Sequence, residues 1–572
     1  MMAEDSLFGN VINVIERNVT DALRRKGIKN ERKSIEVRKK SRDLKSGDII
    51  LPAGSIKLND VTKENFLASV QESFVGNECF ISKVVQDQHS LLSFYLDRPK
   101  FCKAVLSQVD KSGVKYGIRK KEAGKSVFLH PCYSSSSTVG NSLTDLRILA
   151  VQNHLKFILE ANGYTVHQSR ESEGDLKAFL ESSTIDDTSQ KLEQNREGNN
   201  FKPENASVLT YNIVSRAECS GLCLRNLNNE SQAYKEPGAE NHSKLVTENL
   251  VLDLKQIIAE NQLFIGKDGF DKNLNKVKVY ENSQPTTILE DVVRFGEKLH
   301  KFSETELYGC VHIVPQSLSF RQQQIQLTWM ALGQKNLLQS QLVVGPVTSK
   351  GDAGGSTEQK ESAQNFYRAR YEQMKEASET RYGDEADAHR VHQLTCMCVK
   401  VDLLGNAAHI PLHLDLNSQG KDAENRQGAF ILYNAARLAT LMEHFSKRVQ
   451  TGIYQALPPV EEIDFSLLRE QDDWELVYLY IAAFPDLVKQ SVELIFPADG
   501  KCVAKLHTHK VTNFLVSFCK SLSAHYSRHH VLTEGDGHLL PLMYARLYLM
   551  KSAHQVLINS LHLLGVDPPS HL

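Results

Sequence analysis

Apolar positions recur at helical spacing along some stretches of the chain and crowd into short runs along others. Near the beginning, LFGNVINVIERNVTDALRRKG puts Leu7, Val11, Val14 and Ile15 on one side, which predicts an amphipathic helix. Residues 126–166 change texture three times. SVFLH is a short apolar run that reads as a strand, and a serine-rich loop follows it. Ile148, Val151, Leu155 and Ile158 then share one helical face, widened by Leu146, Leu149, Ala150 and Phe157. A face that wide belongs to a well-buried helix. Asn162-Gly163 is a helix stop and YTV opens a second strand, so the stretch predicts a βαβ-type unit.

The alternation returns after residue 245. CVHIVP reads as a buried strand, FRQQQIQLTWMALG as a helix ending at Gly333, and LVVGPV as another strand. Residues 351–390 are polar and predict a loop, a helix near 363–378 and another loop. From Gln427 onward the texture is helical. QGAFILYNAARLATLMEHFSKRV is one helix; DDWELVYLYIAAF is another, with Asp472 and Glu475 spaced as a capping box. Pro485 marks a break or the first turn of the next helix. HKVTNFLVSFCKSLSAHY sets Val511, Phe514, Leu515, Phe518 and Leu522 on one face, and a last helix stops at Gly565. Amphipathic helices with short connections predict a bundle, with Phe484 and Leu515 in its core. Between these regions, residues 167–245 are rich in Ser, Glu, Asn and Lys without apolar periodicity, which predicts a disordered insertion.

Length and charge narrow the picture only locally. A chain of 572 residues fits about three or four domains. The net charge of -2 announces no polyanion partner. Between Arg24 and Lys45, however, eleven Lys or Arg face three acids. Arg24, Arg25, Lys26, Lys29, Arg32, Lys33, Arg38, Lys39 and Lys40 make a basic patch that either meets phosphates or is a solvated face. Ten irregularly spaced cysteines form no disulfide framework and no paired CxxC elements, and Cys219 and Cys223 stand without partners. The cysteines therefore read as reduced thiols of a cytosolic protein, with no metal site. The beginning has no secretory signal and no run of 18 apolar residues exists, so no membrane is expected as a partner. Neither Ser134 to Ser137 nor Cys132 sits in a nucleophile setting, and no cofactor loop of the glycine-rich kind is present.

Four pieces of the end of the chain, in order over about 145 residues, carry a resemblance. They are QGAFILYNAARLATL with its Gly428, Tyr433, Ala436 and Arg437, ELVYLYIAAFPDLV, VTNFLVSFCKSLSAHY and YARLYLMKSAHQVLINSLHLLGVDPP. Together they resemble the DALR anticodon-binding domain of arginyl-tRNA synthetases. LRILAVQNHLKFILEANGY and HIVPQSLSFRQQQIQLTWMALG resemble parts of the catalytic domain of the same class I enzymes. The family's His-x-Gly-His signature is replaced by Ser142, Leu143, Thr144 and Asp145, and no Lys-Met-Ser-Lys-Ser-like loop follows LVVGPV, where Lys350 is the nearest lysine. Phosphate chemistry wants donors and a glycine at the first of these places, and Asp145 brings an anion instead.

The arrangement as a whole is similar to the DALR anticodon-binding domain-containing protein 3 family. That resemblance implies an α/β Rossmann-like class I synthetase-type domain followed by an all-α anticodon-binding helical bundle, with a small mixed α+β N-terminal domain. The expected boundaries are 1–120 for the N-terminal synthetase-like domain, 121–166 and 246–400 for the two parts of the degenerate synthetase domain, and 167–245 for the insertion. A connector over 401–424 and the bundle over 425–572 follow. The resemblance also implies a cytoplasmic adaptor without catalytic residues. It would recognise arginine tRNAs, not DNA, and bring them to a methyltransferase subunit that carries S-adenosylmethionine and forms 3-methylcytidine in the anticodon loop. The candidate tRNA contacts are Tyr433 and Arg437, one turn apart on one face, with Arg426, Gln427, Arg546 and Lys510. Against each stands a structural alternative, a packed tyrosine or a salt-bridged arginine. The retained Arg147 is expected to hold its helix N-terminus. His525 and His529, four apart, are expected on a polar surface that faces RNA. A divergent arginine-tRNA ligase using ATP and a protein-interaction scaffold without RNA binding remain the alternatives.

Overall fold

A computed structural model describes residues 6–27, 35–52, 55–56, 60–74, 80–86, 90–133, 142–168, 249–282, 284–300, 302, 306–332, 337–350, 362–382, 387–415, 427–533 and 537–567. Two compact units emerge. One gathers residues 1–121, 430–490 and 513–572; the other gathers 122–429 and 491–512. The insertion expected over 167–245 lies, from residue 169, outside the described residues, and so do Cys219, Cys223 and the stop at Gly333.

The first unit begins with α1 (Leu7–Arg25), capped by Ser6, whose Oγ accepts from the Gly9 N–H. Its buried stripe is Phe8, Val11, Ile15, Val19, Ala22 and Leu23. Leu7 and Val14 are only half-buried, so the apolar face is centred on Phe8 rather than on Leu7 as the pattern suggested. β1 (Arg38–Lys39), β2 (Ile49–Pro52), α2 (Asp60–Glu72), β3 (Ile81–Val85), β4 (Ser90–Leu96) and α3 (Arg98–Ser112) follow. The strands form an antiparallel sheet in the order β1-β2-β4-β3. This is the mixed α+β region.

The second unit is built on a parallel sheet. Its elements are β5 (Ser126–Pro131), α4 (Leu143–Ala161), β6 (Thr165–Gln168), β7 (Asn249–Asp253), α5 (Leu254–Glu260), β8 (Lys276–Glu281) and β9 (Gln284–Pro285). Then come α6 (Thr287–His300), β10 (Leu307–Pro315), α7 (Ser319–Ala331), β11 (Leu338–Val344), β12 (Val347–Lys350), α8 (Ala363–Tyr382), α9 (Ala388–Leu404), β13 (Leu412–Asp415) and, later in the chain, β14 (Val503–Ala504). The order β14-β11-β10-β5-β6, parallel at every pairing, is a Rossmann-like core. Parallel strands covered by helices read as unbroken apolar runs, which is why SVFLH and CVHIVP were visible in the sequence. β7, β8 and β9 make a small antiparallel sheet, and α5, α6 and α7 pack Ile257, Ile288, Val292 and Leu327 against it in one cluster.

Three expectations are corrected here. LVVGPV is not one strand: the chain breaks at Gly345-Pro346, and β12 leaves the main sheet to pair with β13. The helix expected near 363–378 runs to Tyr382. Residues 401–415, read as part of a connector, finish α9 and supply β13.

The bundle helices are α10 (Gln427–Gln450), α11 (Gln471–Glu475), α12 (Phe484–Val492), α13 (His509–Arg528) and α14 (Leu540–Leu563). Pro485 falls in the first turn of α12, where its missing N–H costs nothing. The capping box is shifted from the expected pair: Asp473 accepts from the Glu470 N–H at 3.3 Å. Beyond α11 the chain continues as a π-helix over Leu476–Ile481, a wide turn that no apolar spacing in the sequence announced. Val511, Leu515, Phe518 and Leu522 are buried and Phe514 half-buried; Phe484 is core as expected.

Within the first unit, one buried carboxylate ties the N-terminal region to the bundle. Asp48 accepts from the Trp474 Nε1–H at 2.9 Å and from the Leu96 N–H at 2.9 Å, while the Tyr478 hydroxyl donates to its carbonyl. Arg98 stands 3.9 Å away and stacks on Trp474. Burial nonetheless holds the Asp48 carboxyl above its ordinary range.

Candidate nucleic-acid interface

Local sequence explains how α10 presents its motif. Ile431, Leu432, Ala435, Ala436 and Leu438 are buried, and the same 3.6-residue period turns Tyr433 and Arg437 to a half-exposed face. Arg437 lies with its Cζ 3.8 Å from the ring centre of Tyr526 on α13 and 6.0 Å from that of Tyr433. Among the described residues the guanidinium plane is thus held by aromatic contact rather than by a carboxylate, an arrangement that leaves N–H donors for a phosphate or a base edge. The tyrosines offer π-faces for an unpaired base.

The end of α13 extends this face. Arg546 reaches the His530 carbonyl at 3.5 Å through Nη1 and His529 Nδ1 at 3.3 Å through Nη2. It therefore fixes the turn that follows α13 while its side chain stays half-buried. Arg528 and His529 both meet Asp472, each at 3.1 Å. The Arg528 charge at this place also complements the carbonyl end of the helix. Tyr526 and Arg528 were not singled out from the sequence. The run HYSRHH at a helix end was the available signal. His525 corrects the expectation of an RNA-facing histidine pair: it is fully buried, with Nε2 2.7 Å from Asp473. Only His529 of the two approaches the surface.

The other expected contacts are distributed. Gln427 begins α10 and Lys510 lies in the first turn of α13, both half-buried, and both belong to the second unit. Arg426 is outside the described residues, as are Lys29, Arg32 and Lys33 of the basic patch. Of the rest, Arg24, Arg25 and Lys26 are exposed at the end of α1, with Arg24 3.6 Å from Asp21. Arg38 forms a two-pronged pair with Glu36. Lys39 binds Asp486 at 2.5 Å and sits over the Phe8 ring, and Lys40 donates to Ser46 and to the Asp43 carbonyl. Four of the six described patch residues, Arg24, Arg38, Lys39 and Lys40, are thereby engaged in local contacts. Gly428, the first residue of the Tyr-Ala-Arg pattern, has a packing reason: a Cβ there would stand 2.7 Å from the Cys398 backbone.

In the second unit, Ser142, Leu143, Thr144 and Asp145 are turned to structure. Ser142 caps α4, its Oγ accepting from the Asp145 N–H at 3.0 Å. Thr144 Oγ1 accepts from the Val347 N–H at 3.1 Å. Leu143 and Asp145 are buried, Asp145 in the first turn, where the helix N-terminus favours an anion. Arg147 does not hold its own helix end. It is fully buried and donates to four carbonyls, those of Leu403 at 3.2 Å, Gly345 at 3.0 Å, Ile410 at 2.7 Å and Ala407 at 3.1 Å. Loss of solvation draws its pKa down to about 10, which leaves it charged at neutral pH.

The interface can now be set beside known proteins. Residues 431–572 match the family described as the DALR anticodon binding domain. A Danio rerio protein named DALR anticodon-binding domain-containing protein 3 is 28% identical over 448 residues, covering 77% of this chain and 75% of its own. Its Mus musculus namesake is 29% identical over 502 residues, 84% of each chain. The fold is similar to that of Thermus thermophilus arginyl-tRNA synthetase, with a TM-score of 0.60 at 14% identity over 98% of this chain and 100% of that one. Among the described residues no helix is long and apolar enough to cross a membrane.

Proposed function

The chain is a DALR-domain protein related to class I arginyl-tRNA synthetases, and from that premise we propose that it is a cytoplasmic tRNA-binding adaptor without aminoacylation activity. In this reading the bundle grips the anticodon arm of arginine tRNAs. A partner methyltransferase, which carries S-adenosylmethionine, then forms 3-methylcytidine in the anticodon loop. The observation that carries the reading is the Arg437 guanidinium stacked on Tyr526 beside Tyr433, half-exposed and, among the described residues, held by no carboxylate. A stacked guanidinium loses little conformational freedom when it binds a phosphate, so the contact is preorganised.

The absence of ligase chemistry is supported by the use to which Ser142, Thr144 and Asp145 are put. They cap, brace and bury the start of α4, and the run brings the Asp145 carboxylate, an acceptor, where a developing phosphate charge would need donors. Arginine-dependent exchange of pyrophosphate into ATP is expected at background; a rate above it would establish the ligase alternative.

The test of recognition is binding of the full chain to a panel of tRNA transcripts at one salt concentration. Arginine tRNAs should bind most tightly, and Arg437→Ala should weaken them about 10-fold with the fold intact, the loss of one charge-assisted contact. Equal weak binding to every transcript would leave the scaffold reading. Cells lacking the chain should lose 3-methylcytidine from arginine tRNAs; unchanged modification there would remove the methyltransferase part alone.

A further inference from the structure

At the carboxyl ends of β5 and β10, three ligand-bearing side chains from distant parts of the sequence converge. His130 and Cys132 are two residues apart and so project from one face of the strand end. His312 is the in-register partner of His130 on β10. The His130 and His312 Nδ1 atoms are 3.0 Å apart, Cys132 Sγ is 3.8 Å from His130 Nδ1, and all three ligand atoms lie within 4.8 Å of one another. A tetrahedral zinc with Zn–N of about 2.0–2.1 Å and Zn–S of about 2.3 Å separates its nitrogens by roughly 3.3 Å and sulfur from nitrogen by roughly 3.6 Å. Two sides of the triangle already match these lengths to within a few tenths of an ångström, and the third, from Cys132 to His312, is no longer than 4.8 Å.

The hydrogen bonding around it is unsatisfied in a way that a cation resolves. His312 Nε2 is 3.0 Å from Gln339 Oε1 and must carry its proton to donate there. Its Nδ1 is then a single lone pair, yet both His130 Nδ1 and Gln322 Nε2, at 3.1 Å, point at it. If His130 keeps its proton on Nδ1, two donors compete for one lone pair. If the proton sits on Nε2, two lone pairs face each other at 3.0 Å. A metal ion takes both lone pairs at once. Gln339 then plays the part that outer-shell acceptors play for metal-bound histidines, fixing tautomer and ring orientation.

The surroundings keep both imidazoles in the ligand form. His312 is fully buried and His130 packs against Phe128 and Phe295; loss of solvation holds His312 down to about 4 and His130 well below its usual range. The same burial pushes the Cys132 thiol up to about 12, so it is a neutral thiol before metal arrives. The charged groups felt at the cluster are Lys298 and Asp291, of opposite sign. His130 and Cys132 are half-buried.

We propose that His130, Cys132 and His312 bind one zinc ion, with Gln339 as the second partner of His312 and water or Gln322 in the fourth position. On binding, the Cys132 S–H bond breaks and a Zn–S bond forms, one proton leaving to solvent; the His130 proton resides on Nε2. The site joins β5 to β10 at the sheet edge where ligands of open parallel sheets collect. The sequence rules overlooked it because they seek cysteine pairs at short spacing, and these ligands are 182 residues apart along the chain.

The test uses the full chain, stripped with a chelator and titrated with Co(II), then displaced by Zn(II). One equivalent is expected, with a thiolate-to-cobalt charge-transfer band. Cys132→Ser should abolish that band, and Cys396→Ser, whose sulfur faces His392 elsewhere in the unit, should retain it. Gln339→Leu, which removes no ligand, should weaken cobalt binding about 10- to 100-fold. No charge-transfer band in the wild type, or a band that survives Cys132→Ser in a folded protein, overturns the site. The surface histidines can bind cobalt too, but without sulfur they give no such band.

Discussion

The start of α4 and the exposed face of α10 have the same kind of material and put it to opposite uses. Around α4, the Ser142, Thr144 and Arg147 side chains bond backbone of their own unit, and Asp145 is buried. On α10, Tyr433 and Arg437 are half-exposed, and the guanidinium rests on an aromatic ring. An arginine among four carbonyls is spent on the fold; one stacked on a tyrosine still has donors to give. The difference separates a region whose polar side chains are used up within the fold from one that still presents donors and rings at its surface.

That contrast can be broken first where it is strongest. Arg147→Ala strands four buried carbonyls and should cost the second unit about 4 kcal/mol. Thermal unfolding followed by circular dichroism checks it, and a loss below about 1 kcal/mol would mean that water replaces the guanidinium. Arg437→Ala should cost less than about 1 kcal/mol in the same assay, because its side chain is half-exposed.

The inward pattern is also present in the first unit, at Asp48. Asp48→Ala should cost about 3 kcal/mol by orphaning the Trp474 and Leu96 N–H groups, and Asp48→Asn less. The pH dependence has a definite sign. The folded carboxyl titrates above its unfolded value, so between the two the folded state binds a proton that the unfolded state does not. Stability from this group is therefore fully present below the unfolded value and is lost as pH rises through the folded one. Urea titrations across that window should show the decline in the wild type and not in Asp48→Asn; parallel profiles would contradict it.

The smallest effect is expected where charge is most exposed. Replacing Arg24, Arg25 and Lys26 together with alanine should weaken all tRNAs alike, about 2- to 5-fold, and make binding less dependent on salt. A loss confined to arginine tRNAs would move the recognition surface from the bundle to α1. Arg38→Ala should do less still, since its guanidinium is paired with Glu36.

How much of this was legible depended on the range of the interactions. The helices and the buried parallel strands were visible because each writes its period or its apolar run into consecutive residues, and the family resemblance drawn from four bundle segments agrees with the match over residues 431–572. The face of α10 was half legible: the one-turn spacing gave Tyr433 and Arg437, but Tyr526 is supplied by another helix. What failed depended on tertiary context. The break at Gly345-Pro346 sends β12 to a partner some sixty residues on, roughly the β12–β13 separation. The burial of His525 depends on Asp473 across the bundle, and the orientation of Arg147 on carbonyls far along the chain. No window of neighbouring residues contains those partners.

The alternation of the chain between the two units has a consequence for synthesis. It passes from the first unit to the second near residue 121, returns near 430, leaves again near 490 and comes back near 513. The N-terminal strands emerge from the ribosome long before the Trp474 indole that Asp48 must meet, and β11 waits for β14. At about 5–20 residues per second, some twenty seconds or more separate Asp48 from its partner. During that interval a buried-type carboxylate and an unpaired strand edge stay uncovered, and a nascent chain of this topology is a natural client for a chaperone.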